Sequence, residues 1–443
     1  MSSTSALLTP YPWDHRSETA MSMLAPASIV KFWVPTVMIL SMLWVSHYRD
    51  TYAESASGLV ATDADEVEEV GKTSRPRQIT FLIMATSAAP LILIRSRGKS
   101  SLYTPLVICA SALAALTFAS VIWSFEPGVS ARRLIIVALV VVAALGWGRH
   151  WSMMDLCRSV MIVSTVLCVA GILLELRAGT FLEGEGYRFS GAFHPNRNAV
   201  CCTLLTLSSL VCFRRSPNLS YLGLFVVGLI LTKLTGSRGA QIALLAAMGS
   251  LFFVSLSVRP RIVLVMALVF LFAVGLIGLG FSSVSIPTWD DLGRMGRDTQ
   301  NAGGATLTGR IPIWEECLSA ISQEWLLGYG YGAFWTPERV QEFAYIHNWA
   351  FSNAHSIFLE TAIDIGLLGL FLFVTTFSLV LHRAYAHWVA RRDYGALFVI
   401  SAIVAAATHG LVEAIHVSVG LAFLLGLTAV VILSFQPLEP RCD

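Results

Sequence analysis

The apolar residues of this chain fall in long blocks that are separated by shorter polar segments. Each block runs for roughly 17 to 25 residues, the length that an α-helix needs to cross about 30 Å of hydrocarbon. The blocks do not alternate apolar and polar residues as the strands of a membrane β-barrel do. The pattern therefore predicts an all-α, polytopic membrane protein with about twelve transmembrane helices.

The predicted spans divide the chain into five regions. The spans are 29–46, 78–94, 102–122, 134–148, 156–175, 198–213, 220–236, 239–257, 260–280, 355–381, 394–411 and 414–435. Residues 29–280 carry helices 1–9, residues 281–354 form one large polar loop, and residues 355–435 carry helices 10–12. The flanking regions 1–28 and 436–443 are polar tails.

The basic residues of the short loops predict how the chain is oriented, because cytoplasmic loops are enriched in Lys and Arg. An even number of spans puts both termini on one side, and most short-loop cations fall on that side. They are Arg95, Arg97, Lys99, Arg149, Arg158, Arg214, Arg215, Arg259, Arg261, Arg383, Arg391 and Arg392. We therefore predict a bacterial inner-membrane protein with cytoplasmic termini. The acidic linker 47–77 and the large loop 281–354 then face the periplasm.

Composition supports a membrane environment and excludes some partners. Hydrophobic residues make up 55% of the 443 positions and charged residues 13%, against about 25% charged residues in soluble domains. A formal net charge of +2 is too small to indicate a nucleic-acid partner. Cys317 is the one cysteine in the large loop, so neither a disulfide framework nor a zinc cluster is predicted there. We expect no metal and no cofactor.

Several arginines lie on the predicted periplasmic face, where the topology rule disfavours them, and three of them come from separate segments. Arg188 is in the loop at 176–197, Arg238 is in a tight turn, and Arg310 is in the large loop. Guanidinium groups from three separate loops suit one polyanion, such as a pyrophosphate. Alternatively, each arginine reaches a lipid phosphate or pairs locally.

His355 directly follows the large loop and begins a long apolar block. A neutral imidazole there is suited to take a proton from a sugar hydroxyl, because its ordinary pKa lies near neutral pH. The alternative is a histidine that only caps the membrane interface. Glu360 lies five residues further on and is either a site residue or one half of a structural ion pair.

The large loop is rich in aromatic residues, which argues against disorder. We predict short helices within it, one starting at Gly309-Arg310 and one following Thr336-Pro337-Glu338, where a capping residue, a proline and an acid form a start signal. The run from Gly328 to Trp335 reads as a bent aromatic platform for stacking on sugar rings.

Several motifs in consistent order carry a resemblance to a known family. They are Trp123-Ser124-Phe125-Glu126-Pro127 with Arg132-Arg133, the stretch Arg188 to Asn196, Gly236-Ser237-Arg238, Gly309-Arg310 with Trp314, Gly328-Tyr329-Gly330-Tyr331-Gly332-Ala333-Phe334-Trp335, and Ala354-His355 with Leu359-Glu360 and Gly366-Leu367-Leu368-Gly369. From about residue 120 to 380 the chain resembles the O-antigen ligase/polymerase superfamily, and within it the exopolysaccharide polymerases.

The resemblance implies a GT-C-like fold and an inverting, metal-independent glycosyltransferase whose active site faces the periplasm. It makes His355 the candidate base, with Arg238 and Arg310 as further catalytic residues. The matching motifs also supply the substrate-binding candidates Arg188, His194, Asn196, Trp314, Tyr329, Tyr331, Trp335 and Glu360.

The implied partners are an undecaprenyl-pyrophosphate-linked glycan donor, an acceptor glycan and membrane lipids. A carrier-linked repeat as acceptor makes the chain a polymerase of O-antigen or exopolysaccharide, whereas lipid A core makes it an O-antigen ligase. A polysaccharide or lipid-linked oligosaccharide transporter is a third hypothesis, and a membrane scaffold without chemistry is a fourth. A transporter should carry its ionisable groups near the middle of the membrane, whereas here most candidates lie at one face.

Overall fold

The computed structural model describes most of the predicted helical regions. The residues described are 29–57, 75–94, 101–184, 186–257, 259–261, 263, 266, 307–347, 352–413 and 421–438. Across these ranges the regular elements are helices, and none of the described residues forms a strand.

The described residues form thirteen α-helices, numbered in chain order. They are α1 Val34–Ser57, preceded by a π-helical turn at Ile29–Trp33, α2 Arg75–Leu93, α3 Thr104–Ala119, α4 Pro127–Gly148, α5 Met153–Ala178, α6 Pro195–Arg215, α7 Leu219–Leu234, α8 Arg238–Ser255, α9 Leu307–Gln323, α10 Pro337–His347, α11 Ile357–Arg391, α12 Tyr394–Gly410 and α13 Leu421–Phe435.

A helix coincides with each predicted span apart from the ninth, at 260–280, which lies almost wholly outside the described residues. Among the described residues, six helices are long and apolar enough to cross a membrane. They are Arg75–Leu93, Thr104–Ile122, Pro127–Gly148, Met153–Ala178, Arg238–Ser255 and Ile357–Arg391. The prediction of a helical, polytopic membrane protein is confirmed at this level, while twelve crossings stay a prediction.

Two helices extend well beyond their predicted ends. The first continues to Ser57, inside the segment assigned to the acidic linker, and α11 continues to Arg391 rather than ending at residue 381. The two helices predicted within the large loop are confirmed as α9 and α10, and Pro337 is the first residue of α10 as expected.

Local sequence signals explain several helix starts. Proline, whose fixed φ suits the first turn of a helix, stands at the first position of α4, α6 and α10. Before α5, the Ser152 hydroxyl accepts from the Asp155 backbone N–H, and the Asp155 carboxylate accepts from the Ser152 backbone N–H. This reciprocal pair provides acceptors for two backbone N–H groups that have no partner within the helix.

The core lies between the long helices, with α12 packed against α5, α6, α8 and α11. Trp147, Leu205 and Phe398 are among its fully buried side chains. Large apolar side chains such as Leu245 and Phe371 are instead exposed on the outer helix surfaces. An exposed apolar surface of this kind suits contact with lipid.

A second apolar cluster joins the large loop to α11. Ile313 and Cys317 from α9, Trp335 from the following segment, Val340 from α10 and Ile363 from α11 are all buried in it. This cluster fixes the position of the segment that ends at His355.

Helix α11 is interrupted at Ile365 and Gly366, and the aromatic segment binds at the break. The carbonyl of Ile363 accepts from the Tyr329 N–H at 2.9 Å, and Leu367 N–H donates to the Trp325 carbonyl at 2.8 Å. Gly366 has φ +69°, and a side chain there would collide with the Leu326 carbonyl. The break therefore provides the backbone groups that hold the loop.

The Trp123–Pro127 motif holds the same segment from the other side. The Trp123 indole N–H donates to the Leu327 carbonyl at 3.1 Å, and Phe125 N–H donates to the Tyr329 carbonyl at 3.0 Å. The Trp123–Pro127 motif and the break in α11 thus bind the same segment, Trp325–Tyr329. We call this set of contacts the joint.

The bundle has two chemically different ends. At one end, Arg214 Nη1 donates to Ser255 Oγ at 2.9 Å, and Arg383 Nη2 donates to the Gln436 carbonyl at 3.0 Å. These contacts join α6 to α8 and α11 to α13, near the helix ends beside which most of the short-loop arginines lie. The opposite end gathers the polar residues described next.

Candidate functional site

Arg188 lies in the loop between α5 and α6, and its guanidinium group is held from two directions. Nε donates to the Thr235 carbonyl at 2.9 Å, and Nη2 donates to Asn196 Oδ1 at 2.8 Å. Gly236 lies directly against the Arg188 side chain, so that a Cβ atom there would stand 3.0 Å from Nε. The turn between α7 and α8 therefore needs glycine where it meets this arginine.

Glu413, in the segment after α12, connects the predicted residues of three separate regions. Its Oε1 accepts from Arg310 Nη2 at 2.7 Å and from Asn196 Nδ2 at 3.0 Å. Its Oε2 lies 3.5 Å from His355 Nδ1. Arg188, Asn196, Arg310, His355 and Glu413 thus form one continuous polar network, which we call the Glu413 network.

The Glu413 network is accessible from outside. The side chains of Arg310 and His355 are 23% and 22% exposed, and that of Glu413 is 15% exposed. A substrate can therefore reach the guanidinium and imidazole groups, while the carboxylate lies behind them.

The charges around the network determine the ionisation of its acid. Burial raises the pKa of Glu413, but the hydrogen bond with His355 and the Arg310 charge outweigh it, and the pKa lies below its usual value. The side chain is therefore a carboxylate at neutral pH. This negative charge balances part of the surrounding positive charge.

His194 caps the start of α6 beside the network. Its Nδ1 accepts from the Asn196 backbone N–H at 3.3 Å. Burial, followed by the charges of Arg188 and Arg197, lowers the pKa of His194. The ring is therefore neutral at pH 7 and serves as a hydrogen-bond acceptor.

His355 has an unusual backbone conformation, with φ +47°. A left-handed conformation is uncommon for residues other than glycine, and strained backbone is often found at functional sites. Its backbone N–H donates to Asn353 Oδ1 at 3.0 Å, just before α11 begins. This geometry directs the imidazole towards Glu413.

Arg238 is the first residue of α8 and is exposed at the same end of the bundle. Its neighbours connect it to the site, because Gly236 contacts Arg188 and Gly239 lies against the His409 ring. The structure therefore brings Arg188, His194, Asn196, Arg238, Arg310 and His355 to one region, as the sequence-based hypothesis requires.

The structure encloses two rings of the predicted aromatic platform, those of Tyr329 and Trp335, whereas substrate binding by Tyr331 stays a prediction. Tyr329 and Trp335 are 4% and 2% exposed, and both belong to the second apolar cluster. The Tyr329 hydroxyl donates to the Ala320 carbonyl at 3.0 Å, and Tyr331 is bound through its backbone N–H to Ser120 Oγ at 3.0 Å. The aromatic rings pack the loop against the bundle, so the faces of Tyr329 and Trp335 are not open for sugar stacking.

Glu360 and Trp314 likewise have structural contacts. The Glu360 side chain is 2% exposed and accepts from the Trp335 indole N–H and the Ala354 backbone N–H, both at 2.9 Å. The Trp314 indole N–H donates to the Ala354 carbonyl at 3.1 Å. Both residues fix the backbone beside His355. The enclosed Glu360 carboxylate corrects the assignment of that residue to substrate binding, whereas the assignment of Trp314 stays a prediction.

The arrangement combines fixed cations, one carboxylate and one imidazole, a set that suits binding of a polyphosphate next to a proton acceptor. Among the described residues, no group of three or more His, Cys, Asp or Glu side chains has a metal-binding arrangement.

Fold and site together define a class of protein, namely helical membrane proteins with a cationic, histidine-containing site at one end of the bundle. A family model described as O-antigen ligase matches residues 223–374. This stretch contains Arg238, Arg310 and His355, together with the loop joint at Gly366. The match confirms the resemblance to the O-antigen ligase/polymerase superfamily.

A particular relative supports the same superfamily. The chain is 36% identical over 86 residues to the exopolysaccharide production protein ExoQ of Rhizobium meliloti (strain 1021). The alignment covers 18% of this chain and 18% of that protein. Arg188, His194, Asn196 and Glu413 lie outside the residues that the family model matches.

Sequence reasoning missed Glu413. A signal was present, because Glu413 stands in the short turn between the last two predicted helices, on the side to which the other candidates were assigned. Nothing in the sequence pattern, however, indicated that this turn meets Asn196 and Arg310.

Proposed function

We propose that the chain is an inverting, metal-independent glycosyltransferase of the bacterial inner membrane. It transfers a glycan from an undecaprenyl-pyrophosphate carrier to an acceptor sugar hydroxyl on the periplasmic side, and it polymerises O-antigen or exopolysaccharide repeats. The observation that carries this proposal is the Glu413 network, which joins two arginines, an asparagine and a histidine from distant parts of the chain.

The arginines act on the leaving group. The pyrophosphate gains negative charge as the bond to the anomeric carbon breaks, and fixed guanidinium groups stabilise that charge in the transition state. Arg310 uses one Nη2 contact for Glu413, and a guanidinium group has five N–H donors. Arg310 therefore has donors for a phosphate oxygen while it remains bound to Glu413.

His355 acts on the acceptor. The contact between Nδ1 and the Glu413 carboxylate assigns the ring proton to Nδ1, which leaves Nε2 as the proton acceptor. The acceptor oxygen attacks the anomeric carbon, its proton passes to Nε2, and the pyrophosphate leaves with the bonding electron pair. Glu413 stabilises the imidazolium that this step creates.

The carrier's isoprenoid tail lies outside the polar network, against the lipid-facing helix surfaces. Exposed apolar side chains such as Leu245 and Phe371 supply such surfaces. This arrangement lets a lipid carrier present its pyrophosphate at the end of the bundle without leaving the membrane.

The test is glycan transfer by the purified protein in lipid nanodiscs, with a carrier-linked donor. We expect His355→Gln to lower kcat by roughly 10²- to 10⁴-fold, the usual contribution of a general base. We expect Arg310→Gln to lower kcat by a similar factor, because a neutral side chain stabilises the departing charge less.

The matched controls are Arg177→Gln and His382→Gln. Both residues are exposed, the first at the same end of the bundle and the second at the opposite end. These changes should leave kcat within about twofold of the wild-type value, as is usual for surface positions. Full activity of both site variants would reject the proposed function.

Ligation to lipid A core is the second candidate, and the description of the matching family model favours it. The name of the similar Rhizobium meliloti protein, an exopolysaccharide production protein, favours the polymerase instead. Deletion of the gene would distinguish the ligase from the polymerase. Loss of long secreted polymer with intact lipopolysaccharide supports the polymerase, whereas carrier-linked chains accumulating beside bare core support the ligase.

A further inference from the structure

We propose that Glu175 is a positioning residue for Arg188, an inference that rests on the proposed function because that function assigns Arg188 to the donor's pyrophosphate. Glu175 lies near the end of α5, and its side chain is 6% exposed. It is not part of the Glu413 network. Its carboxylate instead binds the loop from which Arg188 extends.

Four hydrogen bonds connect the Glu175 carboxylate to both sides of Arg188. Oε1 accepts from the Ser190 N–H at 2.9 Å, from the Gly191 N–H at 2.7 Å and from the Ser190 hydroxyl at 3.1 Å. Oε2 accepts from the Tyr187 hydroxyl. An ionised carboxylate accepts hydrogen bonds only, so this group of donors matches its chemistry.

The same loop is fixed by its backbone to two helices. Phe189 N–H donates to the Leu234 carbonyl, at the end of α7, at 2.9 Å. Gly191 has φ +58° and lies so close to α5 that a Cβ atom on Gly171 would stand 2.8 Å from the Gly191 Cα atom. Glu175 and the Phe189 backbone therefore hold the loop on either side of Arg188.

This fixation matters because an arginine side chain has many rotamers, and ordering it costs conformational entropy. A backbone held from both sides orders the side chain before the donor binds, and groups held in productive geometry are worth large factors in rate. A buried carboxylate is also costly unless it is fully hydrogen-bonded, and here four donors offset that cost. Glu175 thus acts through the loop and does not need to touch the substrate.

The experiment compares kcat and donor KM for Glu175→Ala, Glu175→Gln, Arg188→Ala and the double variant Glu175→Ala/Arg188→Ala. We expect Glu175→Ala to lower kcat by roughly 10- to 100-fold, the size of effect that misplacement of a transition-state group produces. Glu175→Gln should stay within about threefold of the wild type, because its amide carbonyl keeps the acceptor for Ser190 and Gly191.

The double variant tests whether Glu175 acts through Arg188. Once Arg188 is absent, Glu175→Ala should cause no further loss, because coupled residues are not additive. Glu183→Gln is the matched control, since Glu183 is exposed in the same loop and the change removes the same charge. It should leave kcat and KM unchanged.

A second measurement does not depend on turnover. Hydrogen exchange at the Ser190 and Gly191 amides should become faster in Glu175→Ala and remain slow in Glu183→Gln. If Glu175→Ala does not fold, Tyr187→Phe serves instead. It removes only the Oε2 contact and should lower kcat less, again without effect in the Arg188→Ala background.

The two proposals fail in different ways. Full activity of Arg188→Ala with a normal protein level would overturn the proposed role of the arginine. A defective Arg188→Ala combined with a fully active Glu175→Ala, or with losses that add in the double variant, would overturn only the role of Glu175.

Discussion

Glu413 is an acid surrounded by groups that donate hydrogen bonds, and each of its contacts has a separate consequence. The Arg310 and Asn196 contacts join the large loop to α6, while the His355 contact defines which ring nitrogen carries the proton. Its carboxylate also reduces the repulsion between cations that must stand close together before a donor arrives.

Replacing Glu413 with glutamine tests its role at the scale of one residue. We expect Glu413→Gln to lower kcat for glycan transfer by about 10²-fold or more, because the imidazolium formed in the transition state loses its negative partner. Donor KM should change less, since the arginines remain. Steady-state kinetics in nanodiscs would measure both values, with Glu183→Gln as the exposed control. An unchanged kcat would contradict a link between the acid and His355.

The ionisation of Glu413 also predicts a pH effect on stability. Its pKa in the folded protein is held below the ordinary value of 4.5. A depressed pKa means that the stabilising contribution is complete above the unfolded value and is lost as the pH falls through the folded value. Thermal unfolding of the wild type should therefore show an extra loss of stability below about pH 4.5 that Glu413→Gln lacks. If the unfolding temperatures of the wild type and of Glu413→Gln fall in parallel as the pH is lowered, the depressed pKa of Glu413 is contradicted.

At the scale of elements, the joint between the aromatic segment and α11 connects two motifs that lie far apart in the sequence. The Trp123 indole N–H and the interrupted turn at Gly366 bind opposite sides of one segment. Trp335, at the end of this segment, donates its indole N–H to the Glu360 carboxylate. Glu360 in turn accepts from the Ala354 backbone N–H, next to His355. The joint thus supports the site without contacting it directly.

Gly366→Ala tests this joint. The backbone at φ +69° is unfavourable for alanine, and the added carbon collides with the Leu326 carbonyl. We expect a loss of roughly 2–4 kcal/mol in the free energy of unfolding, with a parallel loss of activity from the displaced loop. Gly249→Ala is the control, because a Cβ atom there meets nothing within 4 Å. It should be neutral or stabilise by up to about 1 kcal/mol. Equal unfolding temperatures for Gly366→Ala and Gly249→Ala would contradict the proposed need for glycine at the break in α11.

At the scale of the whole molecule, the polar network and the arginine-rich end lie at opposite ends of the helical bundle. The helices that end near Glu175 and Thr235 have their other termini near Ser152 and Asn218. The positive-inside rule predicts that the end with Arg214, Arg215, Arg391 and Arg392 faces the cytoplasm.

Labelling of single cysteines would test this orientation. The described cysteines are buried, and Cys442 lies outside the described residues, so Cys442→Ser provides the background. Glu183→Cys should react with a membrane-impermeant maleimide in intact spheroplasts. Pro217→Cys, exposed at the opposite end, should react only after permeabilisation. The reverse result would place the Glu413 network in the cytoplasm and contradict a periplasmic reaction.

The sequence alone determined the helical class, the positions of most described helices and the motifs that carry the resemblance, because the length of apolar blocks and helix-start signals are local properties. It also identified Arg188, His194, Asn196, Arg310 and His355, which the structure brings together.

Only the tertiary structure decided which polar residues meet and which are enclosed. Glu413 became a site residue because the end of α12 packs next to α6 and the large loop, and no pattern along the chain encodes that meeting. Tyr329, Trp335 and Glu360 were misassigned for the same reason, since aromatic and acidic residues suit a sugar site and a packed joint equally well. Burial and hydrogen-bond partners distinguish these cases, and both depend on contacts between residues that lie far apart in the chain.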